Sequence, residues 1–237
     1  MNVVVINGTS RHGSTWHCKE LLLEAVSKHE QVETTEFVLP KDMPHFCNGC
    51  FSCIMRGEDK CPHAQYIDPI VKAMENADLI IMTSSVYALD VSGQLKTLLD
   101  HLCFMWFSHR PNPKMFTKVG VTMTTTAGAG LGHTTKTMTN SLKFWGVKRL
   151  FTFKKAVAAM KWDDIAERKQ KNIQKGIAIL AGKIVKAKNK MDSLNPTLFA
   201  RFIFGAMKAM MKRNTWNLHD RNHWEAQGWF SGDKPFE

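Results

Sequence analysis

The sequence predicts an α/β domain in which a parallel sheet of five strands carries helices on both faces. Two observations support this. Apolar runs of strand length alternate with segments of helical period from Val3 to Val157, which implies right-handed crossovers and a parallel sheet. Apolar residues make up 44% of the 237-residue chain, enough for a sizeable buried core.

Val3 to Ile6 is a continuous apolar run and the first predicted strand. A polar Gly/Ser loop follows and leads into a helix from about Ser14 to Lys28. The second strand lies near Val32 to Leu39. A cysteine-rich segment, about residues 44–64, interrupts before a helix near Asp68 to Asn76. That helix leads to ADLIIMTSS, the third strand. Val91 to Phe107 reads as helical, Lys118 to Thr124 as the fourth strand, and a Gly-rich loop opens a helix near Leu131 to Trp145. Lys148 to Val157 supplies the fifth strand. A long helix is expected from Trp162 to about Lys190, because Ile173, Ile177, Leu180 and Ile184 recur at helical spacing. Its lysines read as a solvated basic face. Asn195-Pro196 marks a break, so residues 1–190 form the expected main domain and 191–237 a helical, aromatic C-terminal extension.

The formal net charge is +11, and from Lys143 to Arg213 basic residues outnumber acidic ones eighteen to four. This suggests affinity for anions without naming one. The tail from Met207 combines basic residues with Trp216, Trp224 and Trp229. Such a stretch suits a membrane surface or nucleic acid, but these tryptophans are spread through polar sequence rather than along one apolar face. Packing on the chain's own domain or on a partner subunit is the preferred reading, and no nucleic-acid partner is expected. The N-terminus lacks a charged n-region and a long apolar h-region, and Leu198 to Met211, the nearest approach to a membrane span, is short and broken by Arg201 and Lys208. A cytoplasmic protein is expected, and the clustering of its cysteines fits a reducing compartment.

The first strand ends in NGTSRHGST and runs straight into a helix. Gly8 and Gly13 permit tight backbone, Ser10, Ser14 and Thr15 add hydroxyls, and Arg11 adds positive charge. Together with the helix dipole these groups suit a phosphate monoester. Neither GxGxxG nor GxxxxGK[ST] is present, which favours a mononucleotide over NAD or ATP as the tightly held ligand. Two more loops point to the same place. The third strand ends in SSVYALDVSGQLKTLLDH and the fourth in TTTAGAGLGHT. In a sheet wound outward from its first strand, the carboxyl ends of strands one, three and four surround the topological switch point, where a flavin binds with its phosphate on the first loop. Small residues at Ser84, Ser85, Ala127, Gly128 and Gly130 let backbone approach a flat ring, and Tyr87 can cover a ring face or serve as ordinary packing.

These three motifs, in this order, resemble the flavodoxin-like NADPH-dependent FMN reductase family over about Met1 to Val157. With CxxCxxCx7C between the second strand and the helix before the third, the chain is most similar to that family's iron-sulfur flavoprotein branch. The resemblance implies a three-layer sandwich with strand order 2-1-3-4-5. It implies that FMN is bound by Ser10, Arg11, Gly13, Ser14 and Thr15 in the first loop, by Ser84, Ser85, Val86 and Tyr87 in the second, and by Thr126, Ala127, Gly128 and Gly130 in the third. Ser92, Gly93 and Lys96 match the family's SGxxK. Ser85 stands where relatives commonly have proline, which frees a backbone N–H and predicts a less rigid turn.

Cys47, Cys50, Cys53 and Cys61 fall within fifteen residues, and Gly49 and Gly57 help the chain reverse between them. Four thiolates so spaced suit a [4Fe-4S] cluster. They also admit tetrahedral zinc, or a metal-free thiol set able to form a transient disulfide. Cys18 and Cys103 read as buried apolar fillers. His133 suits either the flavin's polar edge or a helix cap. His101 follows Asp100 where relatives often have Asp-Arg, a pairing that suggests helix geometry.

The expected function is an FMN-dependent oxidoreductase that takes hydride from NAD(P)H and passes electrons to a small-molecule acceptor such as a quinone or free flavin. No catalytic side chain is required, because the flavin does the chemistry. The alternative is an electron carrier relaying single electrons between FMN, a [4Fe-4S] cluster and ferredoxin-like partners. The resemblance further implies a homodimer or homotetramer.

Overall fold

The computed structural model describes residues 1–159 and 161–236. Five strands, β1 (Asn2–Asn7), β2 (Glu33–Val38), β3 (Leu79–Thr83), β4 (Val119–Thr126) and β5 (Arg149–Ala156), form one sheet in the order β2-β1-β3-β4-β5. Every pairing is parallel, with Val3 opposite Thr34 and Leu79, and Leu79 opposite Val119. The central strands are apolar on both faces because helices cover both, whereas the edge strands ETTEFV and RLFTFKKA carry charge and leave most of their residues partly exposed.

Side-chain alternation along the strands divides the interior in two. One face places Val4, Ile6, Ile80 and Met82 in a core with residues of α3 (Ala64–Asn76), α4 (Gly93–His101) and α5 (Leu131–Phe144). The other places Val3, Val5, Leu79, Ile81, Val121 and Met123 against α1 (Ser14–Ser27) and α6 (Glu167–Asn189). On α6 the buried residues include Ile173, Ile177, Leu180 and Ile184, the stripe expected from the sequence, and Lys188 reaches Glu30 at 3.0 Å.

Several boundaries differ from the sequence expectation for local reasons. The helix α3 starts a turn earlier than Asp68, carrying Pro69 inside it, because Ile67 extends the buried face of Ile70 and Met74 toward the N-terminus. The helix expected over 91–107 is α4 only from Gly93 to His101, where Ser92 caps it, and the chain then tightens into a 3-10 turn over Leu102–Met105. The helix α6 begins at Glu167 rather than Trp162. Trp162 instead stacks on His17 of α1 at a ring separation of 4.0 Å, and its carbonyl accepts from Gln170.

The cysteine-rich segment lies between β2 and α3 and contains the single turn α2 (Ser52–Met55). Beyond α6, α7 (Leu198–Lys212) and α8 (Leu218–Ala226) build a third apolar cluster in which Phe204, Trp224 and Trp229 meet Phe107 and Phe116. Trp224 donates its Nε1–H to the carbonyl of His109 at 2.7 Å, while Trp216 remains exposed. No helix among the described residues is long and apolar enough to cross a membrane.

Candidate functional site

The carboxyl ends of β1, β3 and β4 meet at one open pocket of about 370 Å³, lined by Arg11, Gly13, Ser14, Ser85, Val86, Tyr87, Thr126 and Ala127, together with Thr125, Val157 and Ala159. Eight of the predicted residues therefore share one cavity. Ser10, Thr15, Ser84, Gly128 and Gly130 do not line it, and three of these build its walls.

Gly13 is the N-cap residue of α1, and no side chain caps that helix. Its first-turn N–H groups and the positive end of its dipole are thus left for a ligand. Within the same turn Ser14 is buried, and its Oγ has no hydrogen-bond partner among the described residues. A buried hydroxyl without a partner is costly, and such groups are usually satisfied. Thr15 points the other way, with Oγ1 2.6 Å from Thr125 Oγ1 and 2.9 Å from Ser85 Oγ. One residue thus ties the first loop to the second and third.

A second set of bonds holds the loops from below. The Ser92 hydroxyl donates to the carbonyl of Gly8 and accepts from Leu95 N–H at 3.2 Å. Ser92 N–H in turn donates to Ser84 Oγ at 3.0 Å, so Ser84 is fully buried scaffold beneath the pocket. Gly8 has to be glycine, because a Cβ there would stand 2.7 Å from the carbonyl oxygen of Thr83.

The second loop ends in a tight reversal in which Tyr87 N–H donates to the Asp90 carbonyl at 2.8 Å and Asp90 N–H to that of Tyr87 at 3.0 Å. Its two central residues, Ala88 and Leu89, have φ of 46° and 70°. Left-handed backbone at two residues other than glycine is strained, and here it raises Leu89 to an exposed tip beside the pocket. Asp90 anchors the turn to α5, accepting from Thr137 Oγ1 at 2.7 Å and lying 3.3 Å from His133 Nδ1. Partial burial works against its carboxylate, but the bonds from Thr137 and from Val91 N–H outweigh this and hold it below the usual range. His133 is therefore an anchor of the turn. The proline missing at Ser85 is matched by the side-chain tie to Thr15. Lys96 lies on the exposed face of α4, paired with Asp100.

The four clustered cysteines differ in setting. Cys47 and Cys50 are exposed, and Cys53 and Cys61 are half-buried. A hydrogen bond from Cys103 lowers the Cys53 thiol to about 6 against the opposing effect of burial, with the Arg110 guanidinium adding to the shift. Cys103, expected as buried filler, thus belongs to the cysteine cluster, and its own thiol is pushed up by that bond and by burial. Cys18 is the filler expected, fully buried, with its thiol pushed up to about 12 by burial. Arg110 connects the segment to the tail. It donates to the carbonyls of Cys53 and Ile54, lies 3.1 Å from Glu58, and pairs with the fully buried Asp220 of α8.

Sequence reasoning missed Thr125, Val157 and Ala159 in the pocket. Thr125 adjoins the predicted Thr126 in the TTT run ending β4, and both line the pocket. It also missed that His101 faces His63 and Cys61, which no local spacing announces.

Comparison with known proteins agrees with this geometry. Iron-sulfur flavoproteins of Archaeoglobus fulgidus and Methanocaldococcus jannaschii are 33% and 39% identical to the chain over 104 and 101 residues. The alignments cover 44% and 42% of this chain and 44% and 51% of those proteins, so the chain spans about half the length of these relatives. Among solved structures, an azoreductase from Bacillus anthracis superposes with a TM-score of 0.60 at 16% identity, covering 77% of this chain and 99% of that one. A flavone reductase superposes with a TM-score of 0.55 at 14% identity, covering 83% and 66%. These two likenesses establish the fold alone. The family model for NADPH-dependent FMN reductases matches residues 1–162, which contain all five strands and all three loops of the pocket, and the chain belongs to that family.

Proposed function

We propose that the chain holds FMN non-covalently across the carboxyl ends of β1, β3 and β4, accepts hydride from NAD(P)H, and delivers electrons to a small acceptor such as a quinone or a free flavin. The observation that carries this reading is the buried Ser14 Oγ, without a partner among the described residues, at the uncapped start of α1 in a pocket that all three loops line. The donor set fits a phosphate monoester: first-turn N–H groups, a free hydroxyl, the helix dipole and the Arg11 side chain. Bound flavin supplies the redox chemistry, taking two electrons from nicotinamide and releasing them singly or in pairs.

The protein's share is to bind, orient and exclude water. Ser14 and the α1 N–H groups fix the phosphate, and Ser10 and Gly13 shape the loop around it. Ser84, held by Ser92, sets the height of the second loop, on which Ser85, Val86 and Tyr87 form one wall. Thr126 and Ala127 present backbone from the opposite wall, Gly128 continues that loop outside the pocket, and Gly130 lets it pack against the second loop. Tyr87 Oη lies 3.4 Å from Thr9 Oγ1, which ties the ring to the first loop while leaving it exposed to an incoming donor or acceptor. A second subunit completes the open side in this reading, as a homodimer or homotetramer.

A second reading is favoured by the density of Cys47, Cys50, Cys53 and Cys61 and by the likeness to iron-sulfur flavoproteins. In it the cysteines hold a [4Fe-4S] cluster and electrons pass singly to a ferredoxin-like partner. Anaerobic purification with iron and sulfide analysis, followed by mixing with NADPH, separates the two. Rapid bleaching of bound flavin in iron-free protein supports the first reading, and about four irons per chain with slow nicotinamide reduction overturns it.

A further inference from the structure

Cys61 and His63 stand just before α3, and His101 ends α4. Among the described residues these three form the set of Cys, His and acidic side chains whose potential ligand atoms all lie within 4.8 Å of one another. His63 Nδ1 is 2.9 Å from His101 Nε2, and His101 is buried. The His101 Nδ1 lies 2.8 Å from the carbonyl oxygen of Thr97. A carbonyl only accepts, so Nδ1 carries the proton and Nε2 presents its lone pair toward His63 and Cys61. An imidazole whose second nitrogen is tied to a backbone carbonyl is the orientation that metal-binding histidines use. The His63 ring is held from the other side by His45, stacked on it at 4.8 Å.

We propose that Cys61, His63 and His101 bind one divalent cation of the zinc class, with water as the fourth ligand. Thiolate and imidazole together suit a borderline-soft cation, and three protein ligands plus water complete a tetrahedron. At metal–nitrogen distances of about 2.0–2.1 Å, two tetrahedral nitrogens stand about 3.3 Å apart. The ring nitrogens therefore separate by about 0.4 Å, the rings turn so that both lone pairs converge on the cation, and the Cys61 Sγ, within 4.8 Å of them, closes on it. Binding deprotonates the Cys61 thiol and releases that proton to solvent, while the His63 proton moves from Nδ1 to Nε2, so each cation displaces one proton.

This site does not depend on the flavin reading, and it competes with the cluster reading because both require Cys61. The experiment is a cobalt(II) titration of the chelator-treated, FMN-loaded full chain, followed by back-titration with zinc. Expected are one cobalt per chain, a thiolate-to-cobalt charge-transfer band and its loss on adding zinc. His63→Ala and His101→Asn should each weaken cobalt binding by more than the roughly 10–100-fold that loss of an outer-shell partner costs. Cys47→Ser and Cys50→Ser should leave it unchanged. Retained FMN binding checks the fold of the buried His101 variant, and His63, being half-buried, supplies the safer second variant. Unaltered cobalt binding in His63→Ala, or its loss in Cys47→Ser or Cys50→Ser, overturns the proposal.

Discussion

Thr15 Oγ1 lies 2.6 Å from Thr125 Oγ1, which bonds the first turn of α1 directly to the end of β4. The same hydroxyl reaches Ser85 Oγ at 2.9 Å, so a single buried side chain fixes the relative position of three loops. Thr15→Val keeps the shape and removes the hydroxyl, leaving two partners unsatisfied. A loss of about 1–3 kcal/mol in denaturant unfolding is expected, with weaker FMN binding alongside.

Gly130 joins the third loop to the second. Its φ is +95°, and a Cβ would stand 2.6 Å from Val86 Cγ1 and 2.9 Å from Leu89 Cα. Gly130→Ala therefore combines left-handed strain with a clash against backbone, and a destabilisation of about 2 kcal/mol or more is expected. At Gly128 a Cβ meets nothing within 4 Å, so Gly128→Ala serves as the control that leaves thermal stability nearly unchanged.

Asp220 is fully buried and accepts from Asn217 Nδ2 at 2.8 Å while pairing with Arg110 and with His109 at 2.7 Å. Asp220→Ala removes the buried counter-ion of Arg110 and leaves it only the half-exposed Glu58, so a loss toward the lower end of about 3–5 kcal/mol is expected. Because the same carboxylate anchors α8, limited proteolysis should cut the C-terminal segment of this variant faster than that of the parent chain.

The bond from Cys103 lowers the Cys53 thiol to about 6, so Cys53 is the thiol of the cluster expected to react first near neutral pH. Its alkylation rate should rise through pH 6 and level off above it, and Cys18 should remain unreactive. Cys103→Ala removes the largest cause and should move the profile back toward the ordinary thiol range. The folded value is the lower one, so the stabilisation is fully present above the unfolded thiol's ordinary value and is lost as pH falls through about 6.

The strands and the loops that follow them were legible from period and from the places where apolar runs end, and the strand order from the family resemblance. Val3 to Ile6 reads as a strand, and NGTSRHGST follows at its carboxyl end. The distinction between lining and support was not legible: Ser84 and Ser85 are neighbours in one motif, yet the first is scaffold under Ser92 and the second faces the pocket. That choice depends on the pleat at the end of β3 and on a partner eight residues away. His63 and His101 were not legible as a pair because thirty-eight residues separate them and packing alone brings them together.

If the start of α1 holds the phosphate of FMN, Ser14 is the side chain on which FMN affinity depends. Its Oγ has no partner among the described residues, so Ser14→Ala should leave the thermal stability of the FMN-free chain unchanged or slightly raised. Loss of a hydrogen bond to a charged group is worth about 1.5–3 kcal/mol, so FMN affinity by fluorescence titration should fall roughly 10- to 150-fold. Riboflavin, which lacks the phosphate, should bind both forms alike. Equal FMN affinity in Ser14→Ala and the parent chain would contradict the account.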